Sequence, residues 1–349
     1  MSMSSREWVS IIHREYLQRY VRDGGSAVKF AVGVEGVDLS PLSTQLQSIA
    51  QQEGFLVVHT DAQTTKVHLI DLFFHEIARQ IDWDELAYQF LKRVLAEHQC
   101  QVPEASSDCH WTSLAVCNGR DEEDLQRDVT SWLEQTIYCD CQMSLEFRLA
   151  MIQLCLARLS SPGTTSKLAV SIKAWLRGEL RLISALKEAL IFQKITRNNA
   201  RHMITSLTHW IRLIGNGGLV VSMNIAAFMK SHSSKNGTSG ISYSSSAVLD
   251  AYEMLRQFID GTDEIEGLFL VVIAPCEFLT NQRLGLNRYE ALKLRIWDDV
   301  RDKHRQNPLA PMLRLSDEGS SSGTTVSHGW LSGSGNISDQ RVIEALRAG

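Results

Sequence analysis

Residues 28–40 read Val28-Lys29-Phe30-Ala31-Val32-Gly33-Val34-Glu35-Gly36-Val37-Asp38-Leu39-Ser40, an apolar run that breaks into a turn with two glycines. A stretch with helical character, Thr44 to Gln52, follows. That is the place and the length of a phosphate-binding P-loop, G-x-x-x-x-G-K-[ST]. In such a loop backbone N–H groups cradle the phosphates and the lysine reaches the β- and γ-phosphates. Gly33 and Gly36 keep two glycines of the turn, and Ser40 keeps the terminal hydroxyl. Asp38 and Leu39 stand where the inner glycine and the lysine belong. A carboxylate there repels phosphate, and a leucine brings no charge. The spacing therefore describes the scaffold of a nucleotide site without its chemistry. The plain alternative is a βα turn of an unrelated α/β protein.

Other residue clusters carry weaker signals. His98, Cys100, Cys109, His110 and Cys117 lie close in sequence. Zinc sites favour close ligand pairs such as C-x₂₋₄-C, and these cysteines are spaced too widely. Ordinary thiols and surface histidines are the expected reading. Cys139-Asp140-Cys141 is C-x-C rather than a redox C-x-x-C, and no G-x-S-x-G nucleophile elbow occurs. Arg295, Arg301, Lys303, His304 and Arg305 line one expected helix end. They read first as a solvated, dipole-complementing face, and second as phosphate or inter-subunit contacts. Arg197, Arg201, His202 and Arg212 form a second basic group, without the interleaved aromatics that stack nucleic-acid bases.

The elements that must position these residues alternate in kind. An amphipathic helix is expected over 6–22, a buried strand over 27–33, a helix over 42–53 and a strand over 55–60. Strand, loop, helix and strand in so short a span make a βαβ unit, which predicts a parallel sheet. The next strands read at 218–223, 268–274 and near 311–315. Between 60 and 218 the pattern is helical, with helices expected near 66–80, 82–99, 121–138, 143–159, 165–177, 179–192 and 198–214. So much helix between two strands exceeds one crossover and reads as a helical insertion on one side of the sheet, about 66–214. Helices are also expected at 246–260 and 287–304, with a mobile Ser/Gly/Asn-rich loop over 231–246. The tail from 316 to 349 reads as flexible, with one short helix at 338–347. The domain reading is an N-terminal helix over 1–26, a P-loop-like domain over 27–315, and this tail.

Composition bounds the function. The chain has 349 residues, 44% of them hydrophobic, enough to bury a proper core. A formal charge of −5 argues against non-specific coating of nucleic acid. No apolar stretch reaches transmembrane length, and the N-terminus lacks a signal-peptide core. Seven irregularly spaced cysteines fit a reducing cytoplasm.

The order of local motifs then resembles a family. Trp175-Leu176-Arg177-Gly178-Glu179, Arg212-Leu213-Ile214-Gly215 with Gly218-Leu219-Val220-Val221, Glu277-Phe278-Leu279, and Tyr289-Glu290-Ala291-Leu292 with Arg295 follow the P-loop position in sequence. Over roughly 24–315 the chain resembles the ATP-binding proteins of BREX-type phage-defence systems, AAA+-like P-loop ATPases related to BrxD. The resemblance implies an α/β P-loop NTPase (AAA+-like) fold, a parallel sheet with a large helical insertion between the second and third of its strands. The family loop reads like G-E-Y-G-S-G-K-T, from which Asp38 and Leu39 depart. Its next strand ends in an acidic pair, where this chain has Asn224 and Ile225. An amide coordinates Mg²⁺ weakly and an isoleucine cannot polarise water. Ala274-Pro275-Cys276 likewise replaces the polar tip of the sensor strand.

The resulting expectation is a remnant nucleotide pocket made of Gly33, Glu35, Gly36, Asp38, Leu39, Ser40, Asn224 and Ile225. It has no catalytic residues, no metal, and neither ATP nor Mg²⁺ as cofactor. Arg295, Arg301 and Arg305 are the candidate phosphate or inter-subunit contacts. The resemblance implies a cytoplasmic pseudo-ATPase that scaffolds or regulates a partner from the same operon, such as an active ATPase, a helicase or another effector. It would reach DNA through that complex, form homo- or hetero-oligomers, and have no membrane role. Two alternatives stand beside this. One is a divergent DNA-stimulated ATPase using Lys29 or Lys230. The other is a nucleotide-independent DNA-binding module.

Overall fold

The computed structural model describes residues 3–103, 109–160, 166–230, 240–297 and 307–316. All of these fall in one unit, Met1–Asp317. The expected tail beyond Ser316 with its terminal helix, Arg301, Lys303, His304 and Arg305, and residues 231–239 of the expected loop lie outside the described residues.

Six strands form one sheet: β1 (Met3–Ser4), β2 (Ala27–Gly33), β3 (Leu56–Asp61), β4 (Leu219–Asn224), β5 (Leu268–Ala274) and β6 (Met312–Ser316). Their order is β1-β6-β2-β5-β4-β3, and every neighbouring pair is parallel. Parallel sheets are covered on both faces, so their inner strands are apolar throughout. β5, Leu-Phe-Leu-Val-Val-Ile-Ala, is buried at every position. The register sets Ala31 opposite Ile273 and Val221 opposite Leu270.

The strands' alternating side chains feed two cores. Ala31, Val220, Phe269, Val271, Ile273, Leu313 and Leu315 face α1 (Ser5–Ile12), the π-helical turn His13–Tyr20 that continues it, and α2 (Ser40–Gln52). Val28, Phe30, Val32, Val221, Met223, Leu270 and Val272 face the opposite way, into a larger core. That core takes buried residues from α3 (Ile70–Arg79), α4 (Trp83–Glu97), α5 (Trp111–Asn118), α6 (Glu122–Leu133), α7 (Leu145–Arg158), α8 (Lys167–Leu176) and α9 (Ala200–Leu213). It also includes α10 (Ser245–Asp260), α11 (Glu277–Thr280) and α12 (Glu290–Ile296). Side chains start many of these helices: Asp82, Asp121, Ser144, Ser166 and Ser244 each accept a backbone N–H from the following turn.

Several element expectations are corrected. β1 was not anticipated: two residues are too short for a periodicity, and its existence depends on pairing with Leu315 and Ser316. The N-terminal helix is α only to Ile12 and then π. α5 was missed, because Trp-Thr-Ser-Leu-Ala-Val-Cys-Asn has almost no amphipathic pattern. The helix expected over 179–192 is a 3₁₀ turn over Ile183–Ala189 that ends on Leu190 in left-handed conformation. Of the helix expected over 287–304, α12 covers Glu290–Ile296 and gives way to an extended Trp297, and residues 298–304 lie outside the described residues.

Candidate functional site

All six strands run the same way, so their carboxyl ends share one edge of the sheet. In open α/β sheets ligands bind there, where neighbouring strands send their connections to opposite faces. β2 and β5 are such neighbours. β2 leads into α2, whose Leu42, Leu46 and Ala50 lie in the smaller core. β5 leads into α11 and α12, whose Phe278, Leu292 and Ile296 lie in the larger one. The crevice between the two departing loops is therefore the position where this fold would hold a ligand. Residues 34–39 form one side, and Pro275 and Cys276 the other. The two loops adjoin electrostatically: the Cys276 thiol is pushed up by burial, by its hydrogen bond to Glu277, and by the charge of Glu35.

The 33–40 loop is closed by its own bonds. Val34 N–H donates to Leu315 O at 2.9 Å, extending the β2–β6 ladder by one residue, and Val37 N–H donates to Val34 O at 3.0 Å. Gly36 has φ +81°, a left-handed conformation that glycine adopts without cost. Gly33 lies under the turn, where an added Cβ would meet Val37 O at 3.1 Å and Leu39 Cγ at 3.5 Å.

Three observations describe the first turn of α2. The Ser40 N–H donates to Asp38 Oδ1 at 2.9 Å, and the Ser40 hydroxyl donates to the same oxygen at 2.6 Å. Pro41 has no N–H to offer. The Leu42 N–H donates to Leu39 O at 3.0 Å. Helix N-termini bind anions through such N–H groups, and here the first three positions have none left. Asp38 is held below the usual carboxylate range by these Ser40 bonds, so the loop supplies its own anion at this place. Leu39, at the lysine position of the motif, is 6% exposed and packs in the smaller core. Its side chain points into the protein rather than over the loop.

The second carboxyl-edge cluster lies on β3 and β4. Asn224 donates from Nδ2 to Asp61 Oδ2 at 3.1 Å and accepts the Ala226 N–H on Oδ1 at 3.0 Å. Asp61 pairs with Asn224 in register and accepts the Gln63 N–H at 2.6 Å. Ile225 is fully buried, and its N–H donates to Ile273 O at 3.0 Å. Asp61 and Pro41 were missed by sequence reasoning. Proline in the first turn of a helix that should cradle phosphate is a readable signal, since it deletes a donor. Asp61 had no such signal, because only the β3–β4 register sets it beside Asn224.

The remaining sequence candidates disperse. Lys29 is buried and donates to Leu309 O at 2.5 Å and Ala310 O at 3.3 Å, in the segment just before β6. It therefore points to the amino edge of the sheet, away from the loop. Lys230 donates to Gln63 Oε1 at 3.0 Å. Arg295 forms a two-pronged pair with Asp260, with Nη2 to Oδ2 at 2.8 Å, and donates to Ala291 O at 2.7 Å. Its guanidinium is tied to α10 rather than held out to a phosphate. Arg201 donates to Gln257 O at 3.0 Å and Arg212 to Arg22 O at 3.0 Å, so both brace neighbouring segments. The His98 ring stacks on Trp132 at 3.9 Å, and Cys109 is buried. Among the described residues no group of three or more His, Cys, Asp or Glu is arranged to hold a metal ion. Among them, too, no helix is long and apolar enough to cross a membrane.

The N–H groups of Ser40 and Leu42 are used internally, Leu39 lies in the core, and Ile225 is buried. These residues do not fit a triphosphate held in the manner of G-K-[ST]. No curated protein and no solved structure matches the chain. A family model described as BREX system ATP-binding protein BrxC/D matches residues 12–322, which include β2 to β6 and the helices between them. By that match the chain belongs to the BREX system ATP-binding protein BrxC/D family.

Proposed function

We propose that this chain is a P-loop-fold subunit of a phage-defence system that neither hydrolyses nor requires ATP, and that it serves other components as a scaffold or regulator. The reading is supported above all by Asp38, whose carboxylate takes the anion's place at the start of α2. Leu39 in the core, and Asn224 and Ile225 at the end of β4, point the same way. Phosphoryl transfer depends on positioning and on neutralising phosphate charge, and none of these four residues contributes to either. Under this reading the protein works in the cytoplasm beside an active ATPase, helicase or other effector of the same system, and meets DNA through them. The ATPase alternative is weakened by the positions of Lys29 and Lys230. The DNA-module alternative is weakened by the internal use of Arg201 and Arg212.

Equilibrium binding of a fluorescent ATP analogue, with and without Mg²⁺, tests the proposal alongside a phosphate-release assay with and without DNA. The expected result is no saturable binding up to about millimolar nucleotide, a bound set by the missing lysine and metal carboxylates. Tight magnesium-dependent binding, or turnover abolished by Lys230→Ala, overturns it.

A further inference from the structure

The segment between α8 and α9 presents apolar side chains outward from a fixed backbone. Leu182, Leu190 and Phe192 are 71%, 62% and 63% exposed. Their neighbours Leu186, Ala189, Ile191 and Ile195 are buried in the larger core. The Trp175 indole donates to Gln193 O at 3.0 Å, Lys194 Nζ donates to Arg181 O at 3.2 Å, and Asn199 Nδ2 donates to Lys194 O at 3.1 Å. The ridge is therefore pinned from below and along its length. Leu190 itself has φ +57°, a left-handed conformation that costs a non-glycine residue on the order of 1–2 kcal/mol. A strained residue that also exposes a leucine gains nothing in the isolated chain. Backbone strain of this kind collects where function requires a fixed presentation. Rigid apolar anchors with a polar rim are what protein interfaces use.

The rim decides the partner. Arg181, Lys187, Lys194 and Arg197 are exposed along this segment, against the two carboxylates Glu179 and Glu188. Two such ridges placed face to face would set like charges against each other, so a symmetric ridge-to-ridge dimer is disfavoured. Among the described residues, the region of α5 and α6 combines the opposite charge with an exposed apolar side chain. At the start of α6 lie Asp121, Glu122, Glu123 and Asp124, and on the adjoining α5 Val116 is 76% exposed. We infer that the 182–192 ridge docks on the α5–α6 surface of a second copy of this chain. The contact is head-to-tail, so each copy keeps one free ridge or one free acidic surface for a further copy. This inference does not depend on the nucleotide reading.

Sedimentation velocity across a concentration series, at low and high salt, reads the contact directly. The wild type is expected to gain mass with concentration, and to lose that gain in high salt, where rim charges are screened. Leu190→Asn with Phe192→Ser removes the apolar anchors and relieves the left-handed strain, so the variant is expected to fold. It should shift association to at least about tenfold higher concentration, the loss expected for interface anchors. Lys187→Glu with Arg197→Glu should do the same, and so should Glu123→Lys with Asp124→Lys. Mixing these two charge-reversed proteins should restore association. Thermal melts confirm that each variant is folded. A wild type that stays monomeric at every concentration overturns the inference. So does association that survives the ridge substitutions, or a charge-reversed mixture that fails to associate.

Discussion

At the residue scale, folding alters the protonation of Lys29. Burial holds its ammonium down from 10.5 to about 8, despite the two carbonyls and the Tyr16 ring, whose centroid is 4.8 Å away. Between these two values the unfolded chain keeps a proton that the folded chain has lost. Stability therefore rises as pH increases from about 8 towards 10.5, and the benefit is lost as pH falls back through about 8. The shift corresponds to about 3 kcal/mol. Urea melts across that window should show the rise in the wild type, on top of other titrations, and a smaller rise in Lys29→Met. An identical pH dependence in the two proteins would mean that Lys29 stays charged in the fold. Leu39 and Asp38 act at the same scale but in opposite ways. One anchors the loop in the core, and the other occupies the donors that a ligand would need.

At the element scale, the outer edge of β3 is managed by one side chain. An exposed strand edge invites pairing with another chain. Here Gln80, just past α3, donates from Nε2 to His59 O at 2.7 Å and accepts the His59 N–H on Oε1 at 3.0 Å. Its amide reproduces the pairing of a further strand at the middle of the edge. Gln80→Ala should leave the fold intact, costing about 1 kcal/mol for the lost bonds, and should raise the rate of aggregation. Light scattering during incubation at moderate temperature checks this. An unchanged rate would show that α3 itself, rather than Gln80, shields the edge. At the opposite edge β1 is only two residues long and pairs with Leu315 and Ser316.

At the scale of the whole molecule, the long helical segment between β3 and β4 is not a separate body. Its buried residues and one face of the sheet form a single continuous core, running from Val28 and Val221 to Ile172 and Leu133. The stack of Phe90 on Trp210, with centroids 4.2 Å apart, joins α4 to the helix that leads back into β4. The chain should therefore unfold in one transition, with far-UV and near-UV signals changing together. Phe90→Ala should lower that single midpoint by about 3–5 kcal/mol of stability. Two separated transitions, only one of them moved by the substitution, would show that the helical segment melts independently.

Sequence alone settled the parallel α/β class, because apolar runs at 27–33, 218–223 and 268–274 carry the two-sided burial that parallel strands require. It also settled the family likeness, through motifs that lie in order along the chain. It could not show that β1 closes the sheet, that Leu190 turns left-handed, or that Asp61 stands beside Asn224. Each of those depends on contacts between segments far apart in the chain, to which local periodicity is blind. The same holds for the loop. Asp38 reads from sequence as a charge that repels phosphate. Only the fold turns its carboxylate back onto Ser40, where it accepts the N–H and hydroxyl of the first helical residue.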